Sequence, residues 1–348
     1  MMETVTTIHL FKFRSNMAFY YAPMEGITLY PLRNIHKDKF GQEMDKYFTP
    51  FLTAAKNYHF KKREQRDVLP EYSTSFCDVS NEIVPQLMAN QAEIFIWAAK
   101  KISALGYNEV NLNMGCPAAT VVNRHKGSGL LEDPDILDRM LYDIFDTVDK
   151  ENLGFKVSLK TRLGLMDVSE TPRLMEVLAS YPASELTIHA RVRSDFYKGE
   201  PRLDTFCQAV RIYRENDGKA DICYNGSIST VSDYTRIKEY LDKELPDVDI
   251  SYMIGRGLVE NPALVREICG GEPLGAKELK DYLDKLYAGY EGYIPEERNV
   301  IFKMLEHWAF LHVHFKDCDK QLKAIRKARS KGEYLAAVNN IFSSCEFT

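Results

Sequence analysis

The chain has 348 residues, of which 45% are hydrophobic and 27% charged, and its net charge is −5. That length is enough for one large domain and a small one, and the composition excludes a disordered or fibrous chain. The acidic balance argues against bulk affinity for nucleic acid, so any such binding has to come from a local concentration of cations.

Seven cysteines are scattered at positions 77, 116, 207, 223, 269, 318 and 345, with no CxxC pair. Neither a disulfide framework nor a zinc site is suggested, no metal is expected, and a reducing, cytoplasmic setting is the expectation. No apolar run approaches the length a bilayer requires, so no membrane partner is expected. Residues 1–16 lack a long apolar core and a small-residue cleavage site. They read as an N-terminal extension ahead of the first strand.

In chain order, short β-rich runs alternate with helical patterns. The runs are Ala18–Ala22, Lys46–Thr49, Ile83–Met88, Glu109–Leu112, Phe155–Lys160, Glu185–His189, Asp221–Tyr224 and Ile250–Ile254. Ala92–Leu105 and Pro134–Val148 show the clearest three- and four-residue apolar spacing between them. Asp133 before Pro134 is a helix start, and Ser229 before TVSDYTRIKEYL is a plausible cap. Eight strands alternating with helices predict an α/β (β/α)8 TIM barrel over 17–272. The alternative is a doubly wound open sheet, but its first strand lacks the GxGxxG turn a dinucleotide fold wants. From about Lys277 the pattern is helical only, with helices expected at Lys277–Tyr287, Glu297–Phe315, Cys318–Ala328 and Glu333–Ser343. A small all-helical domain over 273–348 follows the barrel.

The stretch YNEVNLNMGCPAATVVNRHKGSGLL, Tyr107–Leu131, organises the rest. A strand opens into a loop that sets Cys116 between Gly115 and Pro117. Pro117 pushes Cys116 to an extended backbone, and Gly115 permits close approach of another group. A thiol at a strand's C-terminal end is placed as a proton donor or nucleophile; the alternative is an inert buried cysteine. A barrel's active site lies at this rim. The other strand ends bring Pro23 and Met24, Gln86, Asn113, Lys160 and Arg162, His189 and Arg191, Asn225-Gly226, and Gly255-Arg256-Gly257. Taken singly, His189 could be a satisfied core histidine, and Lys160 or Arg162 a rim ion pair. Their coincidence on successive strand ends favours a site. YNGSIS and IGRG supply glycines, hydroxyls, backbone amides and an arginine fork, which suit a phosphate monoester. Between His314 and Lys331, seven cations face only Asp317 and Asp319.

APMEGIT, VPQL, NLNMGCP, KGSGLL, SLKTRLG, LTIHARV, YNGSI and MIGRGLVENP occur in this order. Together they resemble the motifs of tRNA-dihydrouridine synthases, FMN-dependent TIM barrels with a C-terminal helical domain. The resemblance runs over about residues 18–268, and more loosely over the tail. It implies that Pro23, Met24, Gln86, Lys160, His189, Asn225, Gly226, Gly255 and Arg256 hold FMN. It implies Asn113 near the flavin and the uracil, Arg191 seating the substrate, and Cys116 as general acid. NADPH (or NADH) would reduce the flavin, whose N5 passes hydride to C6 of a tRNA uracil while Cys116 protonates C5. The base must be flipped out to reach the flavin. Lys323, Arg326 and Lys327 are expected to hold tRNA, and the protein is expected to be a monomer. Leu29 and Asn111 depart from the family's pattern, which commonly has Asp or Asn and Asp at those places.

Three rivals are distinguishable. A flavin barrel acting on a free pyrimidine, as in dihydroorotate dehydrogenases, would not need the basic tail. A decayed, non-catalytic RNA-binding barrel would not need Cys116, Lys160 and His189 together. An aldolase with Lys160 as Schiff base would be colourless.

Overall fold

The computed structural model describes residues 17–55, 57–69 and 81–348. Residues 1–16, and with them the expected extension, lie outside the described residues. Ten parallel strands form one sheet: β1 Phe19–Tyr21, β2 Lys46–Phe48, β3 Leu52–Thr53, β4 Ile83–Val84, β5 Gln86–Met88, β6 Glu109–Asn113, β7 Lys156–Arg162, β8 Glu185–His189, β9 Asp221–Asn225 and β10 Ile250–Ile254. All eight expected runs are present. The third is split at Pro85, which has no N–H to continue a ladder. Its carbonyl still accepts from Asn111 N at 2.9 Å. Because β4 pairs with β2 and β5 with β6, the sheet closes on itself through that residue. The result is a TIM barrel, and the open-sheet alternative is ruled out. β3, two residues pairing beside β5, was not expected.

Strand periodicity determines what faces the barrel axis. Tyr20, Ala22, Phe48, Val84, Cys223 and Met253 form a cluster separate from the main apolar core between sheet and helices. At the floor, Lys46 Nζ bridges Glu109 Oε2 at 2.8 Å and Glu185 Oε2 at 3.0 Å, a buried charge set that is costly to break. At the other end, the inward positions are Ala22, Gln86, Asn113, Lys160, His189 and Asn225. The register sets Asn113 beside Lys160 and His189 beside Asn225.

Local signals account for the outer helices. Asp133 Oδ1 accepts from Asp135 N and Ile136 N ahead of Pro134, starting the helix Pro134–Lys150. The helix Val231–Glu244 is capped by Thr230, not by Ser229 as the sequence suggested. Thr230 Oγ1 accepts from Asp233 N, and Asp233 reaches back to Thr230 N, a capping box worth ~1 kcal/mol. Beyond Gly275 the chain is helical: Ala276–Tyr293, Glu297–Leu311, Asp319–Lys327 and Lys331–Ser344. The first of these runs well past the expected Tyr287, and a lone antiparallel bridge joins Phe315 to Phe347. This unit seats on the barrel where the first and last strands meet. Lys303 Nζ donates to the Gly26 carbonyl at 2.9 Å, and His314 Nε2 lies 2.8 Å from the Glu260 carbonyl. Among the described residues, no helix is long and apolar enough to cross a membrane.

Candidate active site

One cavity of ≈ 450 Å³ opens at the C-terminal face of the barrel. The barrel residues expected to serve cofactor, substrate and proton transfer line it: Pro23, Met24, Gln86, Asn113, Cys116, Lys160, His189, Arg191, Asn225, Gly226, Gly255 and Arg256; Gly257, at the same rim, does not. That volume is in the range of cofactor-sized sites.

Cys116 sits half-buried on the loop after β6, and that loop is held from four sides. Asn113 Oδ1 accepts from Gly115 N at 3.0 Å and from Cys116 N at 2.9 Å. Arg162 Nε donates to the Gly115 carbonyl at 2.7 Å, and Arg193 Nε to the Pro117 carbonyl at 3.3 Å. Ser128 donates to the Cys116 carbonyl through N at 3.1 Å and Oγ at 2.8 Å. Gly127, at φ +56°, leaves no room for a side chain, since a Cβ there would stand 2.9 Å from Cys116 Cβ. The KGSG motif therefore buttresses the cysteine loop. Burial pushes the Cys116 thiol above its ordinary value, against the pull of Arg162 and Lys160. It stays protonated at neutral pH, as a proton donor must.

Cations gather at the cavity's other side. Lys160 Nζ donates to Asn225 Oδ1 at 2.8 Å, and Asn225 is aimed by its own bond to the Met253 carbonyl at 2.7 Å. Burial, helped by Arg162, lowers Lys160 to about 7. Arg191 donates to the Gly199 carbonyl at 2.6 Å, to Ser227 Oγ at 2.9 Å and to His189 Nε2 at 3.2 Å. Since a guanidinium only donates, His189 Nε2 accepts, and its proton lies on Nδ1. Burial and the surrounding Arg162, Lys160, Arg191 and Arg256 hold His189 neutral. Four cations thus converge on a cavity whose only carboxylate among the described residues is Glu25. Arg162 and Arg191 are buried, Lys160 is half-buried and Arg256 is exposed, and such a concentration of one sign of charge suits an anion.

The glycines complete a cradle. A Cβ at Gly257 would stand 2.0 Å from the Ile228 carbonyl, so the loops after β9 and β10 touch backbone to backbone. At Gly226 it would meet Tyr224 Oη at 2.0 Å. Lysine, imidazole and arginine donors around a pocket with no room for added side chains fit a phosphate-bearing flavin.

Arg191 is itself almost fully buried, with its guanidinium spent on loop carbonyls, Ser227 and His189. Among the lining residues with no assigned role are Arg162, Tyr197, Phe51 and Phe310. The guanidinia of Arg162 and Arg256 lie 5.7 and 5.3 Å from the Tyr197 ring centre. The tail cations are not in the cavity. Lys323, Arg326 and Lys327 lie exposed on the helix Asp319–Lys327, whose buried side is Leu322 and Ile325. Among the described residues no carboxylate lies within ion-pair distance of them. Two other cations of that stretch are neutralised: Lys316 pairs with Glu346 at 2.6 Å and Lys331 with Glu291 at 2.8 Å. Lys331 belongs to the next helix, Lys331–Ser344.

Fold and cavity define a barrel enzyme with an anion cradle and a protonated thiol facing each other. The dihydrouridine synthase (Dus) family model matches residues 20–328, and the chain belongs to that family. The family is generally flavin-dependent. A tRNA-dihydrouridine(16) synthase of Cupriavidus necator is 30% identical over 283 residues, covering 77% of this chain and 81% of the relative. One from Ralstonia nicotianae is 28% identical, covering 77% and 80%. A probable tRNA-dihydrouridine synthase of Staphylococcus aureus is 27% identical, covering 85% and 84%.

Proposed function

We propose that this protein reduces a uridine in tRNA to 5,6-dihydrouridine, with FMN as its flavin and NADPH (or NADH) as the reductant. The observation that carries the reading is the cavity itself, with one protonated thiol facing a cradle of uncompensated cations. Pro23, Met24, Gln86, Lys160, His189, Asn225, Gly226, Gly255 and Arg256 would hold FMN. The flavin, when bound, supplies the hydride for C6 of the uracil. Cys116 gives the proton to C5, and its loop is braced so that the thiol keeps one position while it does so. His189 offers Nδ1–H as a donor without carrying charge. Lys160 offers a charge that is only weakly held at pH 7 and is therefore sensitive to an anion placed beside it.

The substrate class follows from size and charge. A uracil within folded RNA reaches such a cavity only when flipped out of its stack. The exposed Lys323, Arg326 and Lys327 present positive charge of the kind phosphate backbones bind. That supports tRNA over a free pyrimidine, for which such a surface has no use. The helical segment 273–348 is read as the part that holds tRNA beside the barrel mouth.

The test is direct. The purified protein should be yellow and, with NADPH, should form dihydrouridine in tRNA lacking it, detected by mass spectrometry of nucleosides. A colourless protein, or a flavoprotein that reduces free uracil but no tRNA, would sink the reading.

A further inference from the structure

A polar chain runs through the barrel interior beneath the thiol. Asn113 Nδ2 donates to Gln86 Oε1 at 2.6 Å. Gln86 Nε2 donates to Asn111 Oδ1 at 2.8 Å. Asn111 Nδ2 donates to Ser158 Oγ at 3.0 Å. All of Gln86, Asn111 and Ser158 are wholly buried, and Asn113 nearly so. They come from three adjacent strands, β5, β6 and β7.

The chain has a direction, and chemistry sets it. Each amide has one accepting end and one donating end. Gly115 N and Cys116 N both donate to Asn113, so Asn113 must turn its oxygen to the loop and its nitrogen to Gln86. Gln86 must then present oxygen upward and nitrogen downward. The residue below has to accept. Ser158 at the end imposes nothing, because a hydroxyl can donate or accept. The requirement created by the cysteine loop therefore ends on Asn111, whose Oδ1 meets it.

We propose that Asn111 is a positioning residue for Cys116: by accepting from Gln86 it locks the Asn113 carbonyl onto the two loop amides that hold the thiol. The proposal rests on the assignment of Cys116 as proton donor. Asn and Asp share an acceptor that could face Gln86. An Asp there would take the Gln86 hydrogen bond on one oxygen and the Ser158 hydroxyl on the other. A leucine would leave the buried Gln86 nitrogen without a partner, and such groups are driven to find one by moving. Gln86 can do so only by releasing Asn113, and Asn113 by releasing the loop.

The experiment uses the flavin-loaded enzyme in three forms: wild type, Asn111→Leu and Asn111→Asp. Alkylation of Cys116 by iodoacetamide is followed against pH by mass spectrometry of its peptide, alongside flavin content and steady-state reduction of tRNA. In Asn111→Leu, the Cys116 titration should move down toward that of an ordinary thiol, and alkylation at pH 8 should rise about tenfold. The kcat, expressed per bound flavin, should fall at least tenfold with KM for tRNA little changed. Asn111→Asp should restore the wild-type alkylation profile. Two results overturn the proposal: a wild-type profile and kcat in Asn111→Leu, or an equal displacement in Asn111→Asp, which would mean that any change in this layer disturbs the loop. If Asn111→Leu does not fold, Asn111→Val decides, since it removes the same acceptor with a smaller side chain suited to a strand. The same displacement supports the chain of amides, and a wild-type profile refutes it. Absence of tRNA reduction in the wild type would defeat the functional assignment instead, and the alkylation profiles would still decide the positioning role.

Discussion

Lys160→Met tests whether the cradle is built around a missing negative charge. Burial and Arg162 take Lys160 from its ordinary 10.5 to about 7. At about 1.36 kcal/mol per pH unit, and allowing for water in the open cavity, the flavin-free fold bears on the order of 3–5 kcal/mol when this lysine is charged. The folded value lies below the unfolded one, so the penalty is complete below pH 7. It declines as pH rises from 7 to 10.5, where the unfolded chain holds the extra proton. Methionine removes the charge at similar volume but leaves Asn225 Oδ1 unpaired, a pH-independent cost of about 1–3 kcal/mol. The change in the stability difference with pH is therefore the informative quantity. In urea unfolding of flavin-free protein, the variant's stability relative to wild type should drop by about 2–3 kcal/mol between pH 6.5 and pH 9. The variant should also purify with little flavin. Parallel stability curves over that range, or normal flavin content, would refute the reasoning.

Cys116→Ala should bind flavin normally yet lose ~10²–10⁴-fold in dihydrouridine formation, the usual worth of general acid catalysis; near-normal turnover would remove the thiol from the mechanism. Arg256→Ala should lose a charge-assisted phosphate contact worth roughly 1.5–3 kcal/mol. It should purify pale and recover when FMN is added, and unchanged flavin content would misplace the phosphate. Replacing Lys323, Arg326 and Lys327 together with Ala should weaken tRNA binding and flatten its salt dependence by about one unit of slope per lost phosphate contact. NADPH oxidation without tRNA should persist, and wild-type affinity and slope would place the RNA surface elsewhere.

What the sequence revealed and what it hid divide along a physical line. Strand alternation is a property of neighbours in the chain, so the inward positions Asn113, Lys160, His189 and Asn225 were legible once the strand ends were. Residues whose roles depend on distant partners were not. Arg162 ties together the carbonyls of Gly115, Val192 and Phe196, which lie on two different loops. Nothing near Arg162 in sequence marks that. Lys331 carries a legible charge, but its partner Glu291 is 40 residues away. The KGSG turn was visible as a turn, whereas its service to Cys116 needed the two loops side by side. Phe310 reads as one more apolar residue of an amphipathic helix, yet it lines the cavity from the helical unit. Pro85 was plain in the sequence, and its effect, splitting a strand while letting the barrel close, became clear from the pairing on either side.

The site reconciles two demands that oppose each other. Anchoring an anionic cofactor calls for clustered cations, whereas a proton-donating thiol is spoiled by them, since nearby positive charge favours thiolate. Placement resolves the conflict. The thiol is desolvated enough that burial outweighs the attraction of Arg162 and Lys160. The cations nearest the cavity floor are themselves softened: His189 is held neutral, and Lys160 sits at the edge of losing its proton near pH 7. Before a negative ligand arrives, the charge acting on Cys116 is therefore less than the number of basic residues implies. An anion bound beside Lys160 would favour its charged form and would itself balance that charge. The thiol of the ligand-free chain thus faces less than the full field of the cations around it, and a bound anion would offset the rest.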